Sequence, residues 1–215
     1  MSTSAQGLPA LEGVEPHEFG IGARLTLAVA HPDHEAIVTR AVRAAASTDL
    51  LVTPDEVSIH VTGREQALLQ YLADVIADAA ADGAPVIATL MLSRGCPGGV
   101  VCALPPGGAV FRSEAPHLAS TGLPVRAQWA LYPLDDGGAE RGADHMRDIY
   151  AVLEDAKARG VVRQVLNYVT TLEGDLAEVL ETVGAAWIAA GRSVQHVATH
   201  LTVSVNAPAV PAALR

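Results

Sequence analysis

The densest run of metal-ligating side chains in the chain is His31-Pro32-Asp33-His34-Glu35, which directly follows an apolar stretch. Imidazole nitrogens and carboxylates at such close spacing are what a zinc ion takes, at about 2.0–2.2 Å. A zinc held there would activate water for amide hydrolysis. The wider pattern is incomplete: the hydrolase spacing H-x-H-x-D-H needs a histidine where Val29 stands, and no later pair of histidines supplies a third ligand. The favoured reading is a strand-to-helix turn in which Pro32 bends the chain, Asp33 caps the helix and the histidines are solvated.

The other reactive residue types have plainer explanations. Cys96 and Cys102 are the only cysteines. They lack C-x-x-C spacing and are too few for a disulfide framework or a four-cysteine zinc site, which points to the cytoplasm. Gly95-Cys96-Pro97-Gly98 reads as turn chemistry rather than a nucleophile loop, since no histidine is placed by sequence to activate Cys96. Glu173-Gly174-Asp175 has the charge to hold a cation, yet an aspartate at a helix start is most simply a cap favoured by the helix dipole. No G-x-G-x-x-G follows a strand, so no phosphate-binding glycine loop is expected. The formal net charge of −10 argues against nucleic acid, which rewards clustered Lys and Arg. No run of about 18 apolar residues suggests a membrane span, and the first twenty residues lack the basic-then-apolar order of a secretory signal.

The elements that must position these residues are written twice. Gly63 and Gly174, like Pro97 and Pro208, stand 111 residues apart, and the same offset sets Leu69 on Leu180, Leu90 on Leu201 and Ser93 on Ser204. An offset of 104 aligns Arg24-Leu25-Thr26-Leu27 with Gln128-Trp129-Ala130-Leu131. In the first copy, period-two alternation over 23–30 predicts a strand, a stripe through Ile37, Ala41 and Ala45 a helix, and 50–52 and 57–61 two short strands. Leu68, Leu72, Val75 and Ala79 then predict a second helix, and 85–93 a last strand. The order βαββαβ packs two helices on one face of a four-stranded antiparallel sheet, as in ferredoxin-like domains. The second copy predicts strands over 126–132, 162–165, 168–172 and 197–205, with helices over 144–158 and 176–189. The fold class expected is therefore α+β, a tandem of two such repeats over 21–95 and 124–208. A mobile tail over 1–20 and a Gly/Pro-rich linker over 96–123, with a short hairpin near 100–111, complete the chain.

In each copy the sheet face away from the helices is rich in polar side chains. The first presents Arg24, Thr26, Ser58, His60, Thr62, Thr89 and Ser93, the second Gln128, Tyr132, Thr171, His200, Thr202, Ser204 and Asn206. Such a face is either simply solvated or packs against its like and encloses a pocket of convergent polar groups.

Taken together, these segments resemble the YkoF-type thiamine/hydroxymethylpyrimidine-binding proteins. The residues that carry the likeness in the first copy are Arg24-Leu25-Thr26-Leu27, Thr53 with Asp55, Ser58, Gly63, and Ser93 with Gly95-Cys96-Pro97-Gly98. In the second they are Ala130-Leu131-Tyr132-Pro133-Leu134, Tyr168, Leu172-Glu173-Gly174-Asp175, His196, and Ser204 with Asn206 and Pro208. The resemblance implies a homodimer with a ligand cleft in each repeat, binding rather than chemistry, no cofactor, and thiamine or its pyrimidine moiety as the small-molecule ligand. Precursor salvage and uptake, with contact to a transporter, is the implied setting. The expected lining is Gln128, Tyr132, Thr171, Ser204 and Asn206 in the second cleft and Arg24, Thr26, Ser58, His60 and Ser93 in the first. The sequence departs from the family pattern at Ala28-Val29, where the second copy has Tyr132-Pro133, so the two clefts should differ. The alternative is a zinc-dependent, N-deacetylase-like amide hydrolase using His31, Asp33 and His34.

Overall fold

The computed structural model describes residues 9–96, 108–134 and 145–208. The elements run α1 (Pro16–Phe19), β1 (Gly22–Val29), α2 (His34–Ala44), β2 (Leu51–Pro54), β3 (Ile59–Thr62), α3 (Glu65–Ala80) and β4 (Val86–Arg94). They continue as β5 (Pro124–Leu134), α4 (His145–Ala158), β6 (Val162–Val165), β7 (Thr170–Asp175), α5 (Leu176–Ala190) and β8 (His196–Val205). The chain is thus α+β, and all strand pairings are antiparallel.

The strands form one eight-stranded sheet in the order β2-β3-β1-β4-β8-β5-β7-β6. Within each half the first strand lies between the third and the fourth. The two last strands, β4 and β8, pair along nine residues from Val86↔Val205 to Arg94↔Val197. That pairing removes two exposed edges, each of which would template association with another chain. It also joins the halves: one continuous cluster of buried side chains runs from Phe19 to Val205.

Period-two alternation fixes which face each strand buries. Along β4, Val86, Ala88, Leu90 and Leu92 are buried while Ile87 and Met91 are exposed. On β8, Val197, Leu201, Val203 and Val205 are buried. Each fully buried Leu or Val contributes about 1.5–3 kcal/mol of burial free energy. The polar exception, Thr199, accepts a 2.8 Å hydrogen bond from the Trp129 indole N–H and donates to the Ala130 carbonyl at 2.9 Å. In the first half the equivalent positions are Leu25 and Ala88, an apolar pair that needs no such bond.

Two segments differ from expectation. Of the stretch assigned to a mobile tail, residues 9–20 lie on the body of the protein: Pro16 and Phe19 are buried, and Phe19 stacks on Phe111 with ring centroids 6.1 Å apart. Polar composition hid these anchors. The expected linker likewise contributes Val110, Phe111 and Leu118 to the interior. Residues 100–107 of the expected hairpin lie outside the described residues, and Val110 forms a parallel bridge with Ala10 instead.

Asp175 is the helix cap anticipated from sequence. Its carboxylate accepts from Ala177 N at 2.8 Å, and with Glu178 it completes a capping box at the start of α5. It also accepts from Thr121 N and Thr121 Oγ1, both at 3.1 Å, and from Ser120 Oγ at 3.0 Å. Burial pushes its pKa up, but these donors together hold it below the ordinary carboxylate value. A depressed pKa contributes stability that is present above the unfolded value of about 3.9 and lost as pH falls through the folded one. Asp175→Ala should therefore cost about 1–2 kcal/mol at neutral pH. The deficit should shrink below about pH 4 as the wild-type carboxylate is itself protonated, as followed by urea unfolding across pH. An unchanged midpoint at pH 7 would sink this account.

Candidate functional site

The face of the sheet away from the helices is the candidate site, because strand register lines up its polar side chains in rows. One row runs His60, Arg24, Met91, His200, Ala130 across β3, β1, β4, β8 and β5. The next runs Thr26, Thr89, Thr202, Gln128, Thr171. A third holds Ile87, Ser204, Arg126 and Glu173. Side chains directly opposite one another in a row stand about 4.5–5.5 Å apart at Cβ, close enough to bind one small ligand together.

Two pairs occupy equivalent places in the two halves. Arg24 is the register partner of His60, and Gln128 that of Thr171. In the first half, Asp55 organises the pair. Its carboxylate accepts from Val57 N at 2.9 Å and Ser58 N at 2.7 Å, and from Arg24 Nη1 at 2.5 Å. Arg24 Nη1 also donates to Ser58 Oγ at 2.7 Å. These donors, the two backbone N–H groups foremost, hold Asp55 well below the usual carboxylate range, so it is charged at any physiological pH. Burial lowers the His60 pKa, the Arg24 charge lowers it further, and Asp55 opposes them. His60 is thereby biased toward the neutral imidazole, which offers one donor and one acceptor. The second half carries no such charge at its pair: Gln128 and Thr171 present an amide and a hydroxyl, with Thr171 Oγ1 donating to the Gln164 carbonyl at 3.1 Å. Its charges lie one row away, where Glu173 bridges Arg163 at 2.7 Å and Arg126 at 3.7 Å.

Of the ten residues expected to bind ligand, the structure groups Arg24, Ser58 and His60 in one patch. Thr26 sits on the adjacent row, with Gln128 and Thr171 side by side on that same row across the sheet. Ser93 faces Gly22 toward one end of β1. Tyr132 faces Ala198, while Ser204 faces Arg126. Six residues of β5 separate those two positions, about 20 Å by strand rise, too far for one pyrimidine ring to touch both. Asn206 has left the face altogether. In the left-handed region at φ 53, it donates through its amide to the Ala80 carbonyl at 3.0 Å and the Ala84 carbonyl at 3.1 Å. It ties the end of β8 to the end of α3, a tertiary bond that strand alternation cannot show.

Below the sheet, equivalent clefts lie between the first helix and the hairpin of each half. One, about 500 Å³, is lined by Leu25, Val38, Val42, Asp55 and Ser58; the other, about 430 Å³, by Trp129, Tyr132, Leu153, Leu166 and Tyr168. Ser58 and Tyr132 thus border both the open face and a cleft. Sequence reasoning named Asp55 among the residues that carry the family likeness but left it out of the expected lining; an aspartate two and three residues before the N–H groups it accepts from, between two short strands, was the available signal that its carboxylate would be locally held.

His31, Asp33 and His34 are exposed at the β1–α2 turn. His31 Nδ1 accepts from Asp33 N at 3.1 Å, and Asp33 stands at the N-cap position without a side-chain capping bond, contrary to the expected cap. No group of three or more His, Cys, Asp or Glu side chains among the described residues is placed to hold a metal ion. No helix among them is long and apolar enough to cross a membrane.

An antiparallel α+β sheet with a helix-free polar face and matched side-chain pairs defines a protein built to present two related surfaces. Residues 124–210 match the model of the YKOF-related family. The chain is 24% identical over 193 residues to the YkoF protein of Bacillus subtilis (strain 168), spanning 87% of this chain and 90% of that one. The relative's name provisionally assigns it binding of hydroxymethylpyrimidine or thiamine. The second half is thus similar to the YKOF-related family model and most of the chain to this one distant relative, the likeness that the sequence pattern also carried.

Proposed function

We propose that the chain is a non-enzymatic binding protein for thiamine or its hydroxymethylpyrimidine moiety, built from two ferredoxin-like repeats over 21–95 and 124–208. The observation that carries this reading is the equivalence of the pairs Arg24–His60 and Gln128–Thr171 on the helix-free face. An aminopyrimidine needs acceptors for its amino group and donors for its ring nitrogens. The Gln128 amide beside the Thr171 hydroxyl supplies both kinds without net charge. The relative named for the same ligands supports the reading, and the net charge of −10 suits a thiazolium cation. The first pair, with its guanidinium already bonded to Asp55, offers a more polar and less adaptable seat. The second half is therefore the tighter site.

The same face carries Ile87, Met91, Tyr132 and Leu134, each two-fifths or more exposed. We read them as the contact by which a second copy roofs the ligand in a homodimer. Delivery to a transporter during precursor salvage in the cytoplasm is the role this binding would serve.

Calorimetric titration of the purified chain with hydroxymethylpyrimidine and, separately, thiamine tests the reading. Saturable binding is expected. Gln128→Ala should weaken the tighter site by about 0.5–1.5 kcal/mol, the worth of one net hydrogen bond, and Arg24→Ala should spare it. Silence of the folded wild type with both ligands would overturn the proposal.

A further inference from the structure

Three polar residues of the first half, Arg24, Asp55 and Ser58, have uncharged counterparts in the second: Gln128, Leu166 and Val169. The β2–β3 hairpin does not need them to form. It closes through a bond from Asp55 N to the Ser58 carbonyl at 2.8 Å, and its counterpart closes through the same bond, from Leu166 N to the Val169 carbonyl at 2.9 Å. Nor does stability account for the trio. The Arg24 and Asp55 side chains are 54% and 42% exposed, and an exposed ion pair contributes only about 0–1 kcal/mol.

The trio fixes a guanidinium in place. Arg24 uses one nitrogen, Nη1, to donate to both Asp55 Oδ2 and Ser58 Oγ. Its Nε and Nη2 make no bond among the described residues. These two nitrogens form the edge of the fork that meets two oxygens of one phosphate or carboxylate at once. The Asp55 oxygens are already filled: Oδ1 accepts from Val57 N and Ser58 N, and Oδ2 from Arg24 and, at 3.2 Å, from Ser58 Oγ. The pairing Leu25↔Ile59 sets Ser58 one step further on, beside Thr26. By reaching Ser58, the guanidinium therefore lies toward the row of Thr26 and Thr89. Both threonines are half-buried, and β1, β3 and β4 contain no Asp or Glu.

We propose that the first half selects a phosphorylated ligand, the phosphate monoester of the pyrimidine's hydroxymethyl group, where the second half takes the uncharged pyrimidine. The Nε–Nη2 edge of Arg24 meets two phosphate oxygens, and the Thr26 and Thr89 hydroxyls donate to the third. Asp55 is a positioning residue: it holds the guanidinium and touches no ligand. The same guanidinium repels the thiazolium cation of thiamine, so the first half prefers the ester to thiamine. This inference rests on the reading of the helix-free face as the ligand surface.

The test is calorimetric titration of the full chain with hydroxymethylpyrimidine and, separately, with its phosphate monoester, the ester also being followed by phosphorus NMR. Wild type is expected to bind the ester saturably. Arg24→Gln, which installs the residue of the second half, should lose at least tenfold in affinity for the ester and much less for the pyrimidine. Arg24→Lys keeps the charge without the fork and should lose severalfold. Gln128→Ala should show the reverse preference, losing more for the pyrimidine than for the ester. Asp55→Asn removes a negative charge, which by charge alone would favour an anion, yet it should weaken the ester severalfold and more than the pyrimidine. Tighter ester binding by that variant would overturn the positioning role. Pyrimidine binding without ester binding, or ester binding that Arg24→Gln leaves unchanged, would overturn this inference and leave the binding function standing. Silence of the folded wild type with both compounds would overturn the two together.

Discussion

Glu65→Ala is expected to destabilise the protein by about 3–5 kcal/mol, the range for stripping one partner from a buried ion pair. Glu65 is 3% exposed and Arg94 1%, and Arg94 Nη1 lies 3.6 Å from Glu65 Oε1, a charge contact too long for a hydrogen bond. The Arg94 guanidinium donates to the Phe111 carbonyl and lies 5.9 Å from the Trp187 ring centroid, while Ser113 donates to Glu65 at 2.7 Å. One buried charge pair therefore joins β4 and α3 of the first half, the segment before β5, and α5 of the second. Burial lowers the Arg94 pKa, Glu65 opposes this, and Arg192 adds to the lowering. Removing Glu65 leaves a cation in the interior with its main compensation gone, and the halves should loosen from one another. Urea unfolding measures the effect. The double variant Glu65→Leu/Arg94→Met should recover most of the loss, because an apolar replacement of a whole buried pair is often neutral or better. A loss under about 1 kcal/mol in the single variant would show that water reaches Arg94 and that the pair does not hold the halves together.

Arg94 also shows where sequence reading stopped. The alternation through Leu90 and Leu92 assigns position 94 to the buried face, but a charged residue there makes sense only with Glu65 beside it, and nothing local links the two. Core strands and helices were legible because each depends on short-range period. The Asp175 cap was legible because caps are local. The polar face was legible as a set, for the same alternation places Arg24, Thr26, His60, Gln128 and Thr171 on it. What alternation does not supply is position along a strand: Tyr132 and Ser204 share a face but lie at different heights. Asn206 lies past the end of the strand, where its left-handed backbone turns it toward the Ala80 and Ala84 carbonyls. The segments before β1 and β5 were misjudged for a different reason. Their polar or Gly/Pro-rich composition resembles a tail and a linker, while single anchors, Phe19, Phe111 and Leu118, tie them to the core.

Met91→Asp is expected to convert the proposed homodimer into monomers while leaving the monomer folded. Met91 lies between Arg24 and His200 on the helix-free face, on one of the two central strands of the sheet, and is 43% exposed. In the single chain the new carboxylate points to water, so the folding cost stays near the β-propensity difference of at most about 1 kcal/mol. In a two-fold dimer joined through this face the same patch meets on both subunits, so the substitution enters twice. Each buried, unpaired carboxylate costs several kcal/mol, enough to weaken association by a hundredfold or more. Light scattering on a sizing column, with wild type and variant at matched concentration, gives the result directly. Val57→Asp, on the exposed tip of the β2–β3 hairpin, should leave the mass unchanged. A Met91→Asp dimer of normal stability would mean that subunits meet elsewhere and that the face is open to solvent. In that case Gln128 and Thr171 would have to hold a pyrimidine without a roof, where bulk water competes for every donor and acceptor, and tight binding would need a wall from this chain itself. If the dimer is lost and ligand affinity falls with it, the second copy forms part of the site. Dimer and binding site are then a single structural requirement, which explains why the face keeps Met91 and Ile87 exposed among its threonines.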